Sequence, residues 1–306
     1  MHRKAQNSSQ ERNKRNKYKI VSVIEPKECT FCKSKNIVRA GFRFNHTTKK
    51  QRWKCNSCKR FFTVDDGFFK MKHKREVVTN CLDLYMNGMS LRKIREHFNQ
   101  FSDYTISHQS ILNLIIRYSY LLKDFQSRFN LNLGKIYHAD EIFVRCKKEQ
   151  HYFWDIIDRD TRFLLATHYS TLRDGKNATK LFKKMKERPI RIFTDGLASY
   201  KIAYKKTFGR RRNYNYTHIP LRADVDKRNN IIERIQGTIR ERIKVMRGFK
   251  NKESAEAILN LFVIYYNFIR IHQGIRKTPI EEAGINLNLG KNKWLDLIYK
   301  SKSEII

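Results

Sequence analysis

Apolar residues recur at steps of three and four positions along residues 229–246. These are Ile232, Ile235, Ile239, Ile243 and Met246. The spacing predicts an amphipathic helix with one face against a core. On its polar side Glu233 and Arg240 lie nearly two turns apart, so they face the same way at roughly 10 Å. Gly237 stands between them. When this helix is considered by itself, an ordinary solvent-exposed face with one glycine explains these polar residues. The alternative is that Glu233 is a metal ligand facing a phosphate backbone, and the rest of the chain must support it.

Three shorter helical patterns lie between residues 74 and 121. The first stops at Asn87-Gly88, and the second and third follow Ser90 and Ser107 as N-caps. The third has a buried stripe of Ile111, Leu114, Ile115 and Tyr118. Its outer face carries side chains that can contact base edges in the major groove, namely Gln109, Asn113 and Arg117. The pattern favours a helix-turn-helix over a plain helical connector.

The apolar pattern changes to that of strands from Lys135 onward. The predicted strands cover 136–144, 151–157, 162–169 and 190–194, and the predicted helices cover 177–186 and 197–204. An antiparallel meander followed by helix, strand and helix predicts an α/β fold with a mixed sheet and flanking helices, of the ribonuclease H kind. The order of the strands does not follow from the sequence.

Two CxxC motifs precede the helices, Cys29-Thr-Phe-Cys32 and Cys55-Asn-Ser-Cys58. Each CxxC turn presents two thiolates, and two such turns complete a tetrahedral Zn²⁺ site. Short strand patterns between and after the motifs predict a Cys₄ zinc ribbon. A redox pair is the weaker alternative, because the βαβ setting of such sites is missing. Cys81 and Cys146 have no partner at ligand spacing and are expected to be buried.

The charge balance indicates a polyanionic partner. Lys and Arg number 65 against 29 Asp and Glu, which gives a formal net charge of +36. Cations that neutralise phosphates release counterions, so a nucleic acid is the expected partner. The helix-turn-helix pattern makes double-stranded DNA the expected kind. A membrane is disfavoured because the charges are spread along the chain, and no small-molecule substrate is indicated. No apolar run follows the first lysines and no segment is long enough to span a bilayer, so we expect a cytoplasmic, nucleoid-associated protein.

Acidic residues stand at the ends of predicted elements. Asp140 lies in the first strand, Asp195 ends the fourth and Glu233 lies on the helix described first. Hard cations bind carboxylate oxygens held on rigid elements, and two Mg²⁺ or Mn²⁺ ions can serve phosphodiester cleavage and joining. The three acids therefore predict a two-metal site.

These residues resemble a known family. The runs His138-Ala-Asp140-Glu141, Phe193-Thr-Asp195-Gly196 and Asn230-Ile-Ile-Glu233, with Arg240 seven residues on, look like the DDE transposases of prokaryotic insertion sequences. His272 and Thr278-Pro279 resemble that family's C-terminal stretch. The likeness covers residues 134–285. It implies a ribonuclease H-like core, Mg²⁺ or Mn²⁺, binding to element ends, and the role of Arg240 as a phosphate contact.

The predicted domains follow from these patterns. They are a basic arm (1–25), the zinc ribbon (26–66), the helix-turn-helix domain (67–126), the catalytic domain (134–285) and a C-terminal tail (286–306). Since two element ends must be brought together, a homodimer or larger assembly on DNA is expected. A DNA-binding regulator with an inactive core and a nuclease without joining activity are the alternative functions.

Other residues near the acids receive structural interpretations. Successive strand residues face opposite sides, so only one of Asp140 and Glu141 can join the site, and we expect Glu141 on the other face or at the edge of the site. Asp158 and Asp160 suit a hairpin turn, and Trp154 suits the core and not a stacking platform. His272 suits the core or a position that supports the site, and not metal ligation. Further acids without a motif partner are Asp155, Asp224 and Asp226, of which the last two suit a cap for the helix.

Overall fold

The computed structural model describes residues 25–44, 49–209, 217–220, 230–246 and 248–302. They belong to two compact units, one running to Asn80 and resuming at Leu295, the other spanning Cys81–Trp294. Nearly all of the predicted basic arm, the basic loop after residue 209, and the acids Asp224 and Asp226 lie outside the described residues. Among the described helices, none has the length and apolarity needed to cross a membrane.

Eight strands and nine helices are named here in chain order among these residues. The strands are β1 Ile37–Phe44, β2 Lys49–Cys55, β3 Phe61–Phe62, β4 Ile136–Cys146, β5 Glu149–Asp158, β6 Leu164–Ser170, β7 Arg191–Thr194 and β8 Thr217–Pro220. The helices are α1 Arg75–Met86, α2 Leu91–Phe101, α3 His108–Leu122, α4 Gly175–Phe182, α5 Ala198–Phe208, α6 Asn230–Met246, α7 Lys252–Ile264, α8 Pro279–Glu282 and α9 Lys293–Lys302. α9 lies within the predicted C-terminal tail.

The first unit contains a small antiparallel sheet in the order β1-β2-β3. Its core is made by Cys29, Trp53, Cys55 and Phe62. This is the three-stranded arrangement that the cysteine motifs and short strand patterns predicted. The core holds only two large apolar side chains, so the sheet needs a further source of stability.

The remainder of the first unit is organised by one buried acid. Asp66 pairs with Lys50 at 2.8 Å and with Arg75 at the start of α1. Arg75 also donates to the Tyr299 hydroxyl of α9 at 2.7 Å. Gly67 has φ +85°, and a Cβ there would meet Ile298 of α9 at 2.4 Å. The close approach therefore requires glycine at this position.

The helical segment of the second unit agrees with the predicted periodicity. Ser90 and Ser107 accept hydrogen bonds from the backbone of the first turns of α2 and α3, as N-caps do. The predicted inner stripe of α3 is buried. Ser119, also on α3, donates to the carbonyl of Ala257 on α7 at 2.5 Å. A helical region thus precedes the sheet, as predicted.

The second unit contains a five-stranded mixed sheet in the order β6-β5-β4-β7-β8. β4, β5 and β6 form the predicted antiparallel meander, while β7 and β8 run parallel to β4. Helix α4 begins at Gly175, two residues before the predicted start, because Asp174 caps it by accepting from Asn177. The fold is the mixed sheet with flanking helices that the sequence predicted.

Alternation along β4 and β5 separates two faces of this sheet. Tyr137, Ala139, Trp154 and Ile156 pack against α4 and α5 in one core. Trp154 is therefore core, as expected. Asp140 alternates with Ala139 and lies on the other face, where α6 packs on β4. The helix with the opening pattern thus covers the face that carries Asp140.

The stripe of α6 is partly as predicted. Ile232, Ile235 and Ile239 are buried, whereas Ile243 and Met246 are half-buried. Gln236 and Arg242 are buried as well, which the apolar pattern did not indicate. Polar side chains thus share the covered side of this helix with the isoleucines.

Candidate active site and metal centre

Two predicted acids lie side by side, one within β4 and one directly after the parallel strand β7. His138 of β4 pairs with Phe193 of β7. Asp140 and Asp195 each lie two residues beyond that pair, so the register sets them side by side. Carboxylate oxygens of Asp140, Glu141 and Asp195 all lie within 4.8 Å of one another. The structure therefore brings two of the three predicted ligands together, with a third acid that the sequence analysis had set aside.

Glu141 lies on the opposite face of the sheet, as expected, yet its carboxylate belongs to the cluster. Alternation does turn it to the α5 side, where the Tyr200 hydroxyl donates to Oε2 at 2.5 Å and Arg173 Nε donates to Oε1 at 2.5 Å. β7 ends at Thr194, so within the described residues β7 no longer pairs with β4 at the level of Glu141. A glutamate on one face can therefore still reach an aspartate on the other.

Arg173 links the two sides of the cluster. Besides Glu141, its guanidinium donates to Oδ2 of Asp195 at 3.2 Å. It lies in the connection between β6 and α4, and nothing in the local sequence distinguishes it from the many other cations of the chain. Sequence analysis missed both Arg173 and Tyr200 for this reason.

Asp155 is a further acid at the site. It faces Asp140 across the β4–β5 pair and is fully buried. Neither of its carboxylate oxygens has a hydrogen-bond partner within the described residues. The two-residue turn at Lys147 and Lys148, both with positive φ, fixes the hairpin register, and Lys-Lys is not among the residue pairs that indicate such a turn from sequence.

Burial and like charge raise the pKa values of these acids. Burial, followed by the charge of Glu141, raises the pKa of Asp140 to about 7. Burial, followed by the charge of Asp140, raises the pKa of Asp155 well above its ordinary value. The Gln236 amide lies against both carboxylates and lowers both pKa values in part. Crowded, partly desolvated acids of this kind are typical of functional sites.

Helix α6 places the other two predicted residues near this end of the sheet. Glu233 is exposed and does not belong to the 4.8 Å cluster, so its role as a ligand stays a prediction. Gln236, one turn further on, is the side chain that reaches Asp140. Arg240 is exposed and donates to Oε1 of Gln236 at 3.3 Å. Its positive charge lowers the pKa of Asp155, which places it beside the acids.

The carboxylate cluster fits a hard divalent cation. Mg²⁺ and Mn²⁺ prefer oxygen ligands, and the cluster offers three carboxylates, two from β4 and one directly after β7. Burial and then the charge of Glu141 raise the pKa of Asp140, and a divalent cation would offset both effects by favouring the ionised carboxylate. Asp140 and Asp195 would hold such an ion.

The four predicted cysteine ligands also converge. Sγ of Cys29 lies 3.7 Å from that of Cys58, and Sγ of Cys32 lies 3.5 Å from that of Cys55. Thiolates bound tetrahedrally at about 2.3 Å from Zn²⁺ would be separated by about 3.8 Å. The four-cysteine cluster is consistent with a zinc ribbon.

The two CxxC turns are alike in detail. Lys33 and Lys59, each directly after the second cysteine, have φ near +60°. Backbone N–H groups donate to Sγ of Cys29 at 3.4 Å and of Cys55 at 3.5 Å. Such bonds stabilise a thiolate, and the one from Cys58 is the main cause that lowers the pKa of Cys55 to about 6.

The remaining cysteines and the predicted base-contacting residues lie where expected. Cys81 and Cys146 are buried, and burial raises the pKa of Cys81 to about 12. The outer face of α3 exposes Gln109, Asn113 and Arg117. Gln109 donates to Oδ1 of Asn113 at 3.0 Å, so these two side chains share one surface. Their contact with bases stays a prediction.

The predicted catalytic residues lie within a stretch that matches a known family. Residues 134–272 match the profile of the IS240 family of DDE transposases, a DDE domain. This stretch is a DDE transposase domain. The resemblance drawn from the acid motifs is thereby confirmed, and DDE transposase domains act in DNA transposition, which implies DNA as the partner. Asp140, Asp195, Glu233 and Arg240 all fall within the matched residues.

Solved retroviral integrases are similar in structure to this DDE domain. The catalytic core of HTLV-2 integrase in complex with magnesium has 13% identity and a TM-score of 0.38, covering 50% of this chain and 99% of that one. An integrase in the simian T-cell lymphotropic virus intasome has 12% identity and a TM-score of 0.40, covering 69% and 76%. The catalytic core of BIV integrase has 12% identity and a TM-score of 0.36, covering 48% and 92%. No curated protein matches the chain.

Proposed function

We propose that the chain is an insertion-sequence transposase that binds element ends and catalyses metal-dependent DNA cleavage and strand transfer. The observation that carries the proposal is the proximity of the carboxylates of Asp140, within β4, and Asp195, directly after the parallel strand β7, in a stretch that matches a DDE domain. Such a placement holds two carboxylates rigidly and open toward a substrate on the α6 side.

Each residue of the proposed site has a defined task. Two Mg²⁺ or Mn²⁺ ions, when bound, would make the attacking oxygen nucleophilic and stabilise the leaving 3′-oxygen. Asp140 and Asp195 hold the ions from the sheet, and Glu233 completes the set from α6. Arg240, two turns along the helix and beside the acids, binds a DNA phosphate. Water attacks in cleavage and a DNA 3′-hydroxyl attacks in joining, so no covalent protein–DNA intermediate is needed.

Glu233 is a better third ligand than Glu141, although Glu141 lies closer. Both oxygens of Glu141 already accept hydrogen bonds, from Arg173 and from Tyr200. Glu233 is exposed and has no such partners among the described residues. Gln236 on the same face of α6 already reaches Asp140, so Glu233 lies one turn from the acids. Glu141 then positions Arg173 and Tyr200 and does not bind metal.

The N-terminal part of the chain would supply DNA recognition. The zinc ribbon and the helix-turn-helix residues Gln109, Asn113 and Arg117 bind the element ends. The net charge of +36 supports contact with the phosphate backbone on more than one surface. Because two ends must react together, the chain acts as a homodimer or a larger assembly on DNA.

A strand-transfer assay tests the proposal. Labelled element ends are incubated with target DNA, with and without Mg²⁺, using wild type, Glu233→Gln and Glu141→Gln. Glu241→Gln, which removes an exposed acid of the same helix, is the matched control. We expect Glu233→Gln to abolish Mg²⁺-dependent joining while end binding stays within about twofold of wild type, since one neutralised ligand disables the metal site without touching the DNA-reading face.

The outcomes separate the alternatives. Full joining by Glu233→Gln would refute the assignment of that residue, and loss of joining only in Glu141→Gln would move the third ligand to β4. Cleavage without joining by the wild type identifies a nuclease. End binding with neither reaction identifies a regulator with an inactive core.

A further inference from the structure

A second cationic site lies on the other flank of α6. An open cavity of about 610 Å³ is lined by Arg162, Arg234, Arg270 and His272, together with Thr238 and Tyr266. On α6, Arg234 and Thr238 are four residues apart and therefore share one face of the helix. Glu233 and Arg240 are seven residues apart and share a different face. The cavity is therefore distinct from the metal cluster.

The charge of this cavity is not compensated within the protein as described. No acidic residue lines it, and none of its three arginines forms an ion pair with another described residue. Nη1 of Arg162 is buried without a hydrogen-bond partner in the same part of the chain. Burial, and then the charges of all three arginines, lowers the pKa of His272, which lines the same cavity. Three cations that line one cavity without a carboxylate favour the binding of an anion.

The polar groups at the cavity present donors. Arg270 already donates to the Thr238 hydroxyl at 3.2 Å. Nδ1 of His272 accepts from the backbone N–H of Gly274 at 3.1 Å, so the proton of the neutral ring resides on Nε2. Guanidinium forks and an imidazole N–H match phosphate oxygens, which only accept.

We propose that this cavity binds the phosphate backbone of a DNA strand, next to the strand that reacts at the carboxylates. Three cations exceed the single charge of one phosphodiester group, and consecutive phosphates of a strand satisfy them better than an isolated anion does. The inference rests on the proposed function, since it names a further contact for the same DNA. His272, for which the sequence favours the core or a supporting position over metal ligation, lines this cavity.

The test measures how DNA binding depends on salt. Affinity for a duplex without element ends is measured between 50 and 200 mM NaCl, without added Mg²⁺ or Mn²⁺, for wild type and Arg162→Gln/Arg234→Gln. We expect affinity to fall about tenfold and the slope of log affinity against log salt to fall by about one to two, one for each phosphate that the variant no longer neutralises. Arg162→Lys/Arg234→Lys should recover most of the slope.

The matched control is Lys183→Gln/Lys186→Gln, which removes two exposed cations that directly follow α4, on the other face of the sheet from α6. An unchanged slope in the arginine variant, or a reduction no larger than in the control, would overturn the proposal. Melting temperatures measured in inorganic phosphate and in chloride at equal ionic strength detect a small anion. Stabilisation by phosphate that is absent from the arginine variant, with its DNA slope unchanged, would also overturn the proposal in favour of a free-phosphate site.

This result is independent of the proposed catalysis. Binding is measured without the catalytic metal, so an inactive core would leave the expected reduction of the slope intact. Failure of strand transfer and failure of the phosphate cavity are therefore distinguishable.

Discussion

Removing the metal from the four-cysteine cluster should unfold the small sheet β1-β2-β3 and leave the five-stranded sheet intact. The core of the small sheet consists of Trp53 and Phe62 together with two of the cysteines. Each large apolar side chain contributes about 3 kcal/mol at most when buried. A structural Zn²⁺ in a small domain contributes about 10–16 kcal/mol at neutral pH. The metal is thus the larger contribution, and the sheet should not survive its removal.

Hydrogen exchange read by mass spectrometry locates the effect. After a thiol-reactive reagent displaces the metal, backbone amides of residues 29–62 should exchange at the rates of an unfolded chain, whereas those of 136–170 should not change. A chromogenic chelator should report about one Zn²⁺ per chain.

Matched variants complete the experiment. Cys58→Ser should bind no zinc and show the same exchange, and Cys81→Ala, at a buried cysteine outside the cluster, should keep both the zinc and the protection. Protection of residues 29–62 in metal-free protein, or absence of bound zinc from the native chain, would refute the reasoning.

Three further predictions concern single residues near the active site. Gly237→Ala should raise the free energy of unfolding by about 0.5–1 kcal/mol, because a Cβ there meets no atom. If DNA uses that space, strand transfer should fall while the melting temperature rises. A lower melting temperature than that of wild type would contradict the prediction. Arg242→Met should raise the free energy of unfolding by about 1–3 kcal/mol in denaturant titrations. Stacking of the guanidinium on Tyr85 at 3.8 Å contributes about 2 kcal/mol, whereas burying a guanidinium without a hydrogen-bond partner costs several kcal/mol. A decrease in the free energy of unfolding would refute this prediction. Asp155→Asn should become more stable relative to wild type as the pH rises from 5 to 8. The raised pKa of Asp155 makes folded wild type hold a proton that the unfolded chain releases above pH 3.8, so wild type loses stability over this range and the variant does not. A stability difference that does not change with pH would contradict the raised pKa of Asp155.

Much of the fold could be predicted because periodicity and capping act locally. The stripe of α3 and its Ser107 cap are encoded within a few residues, and so are the CxxC turns. The meander β4–β5–β6 follows from alternation and short turns. Strand order could not be predicted, because the parallel pairing of β4 with β7 joins segments far apart in sequence.

The site was predicted less completely than the fold. Asp140 and Asp195 could be singled out because one stands within a predicted strand and the other at the end of a predicted strand. Arg173 and Tyr200 were missed because only the folded chain brings them to Glu141. The reach of Glu141 into the cluster was not predicted, because alternation describes the direction of a side chain and not its reach past the end of a neighbouring strand.

The pairing of β4 with β7 gives the candidate active site two parts that are held differently. The backbones that carry Asp140 and Asp195 follow adjacent strands, roughly 4.8 Å apart, so the spacing of these backbones is set by the sheet. Glu233 and Arg240 are carried by α6, a separate element that packs on β4. If these residues act as proposed, the least costly adjustment to successive DNA intermediates is a movement of α6 over the two aspartates.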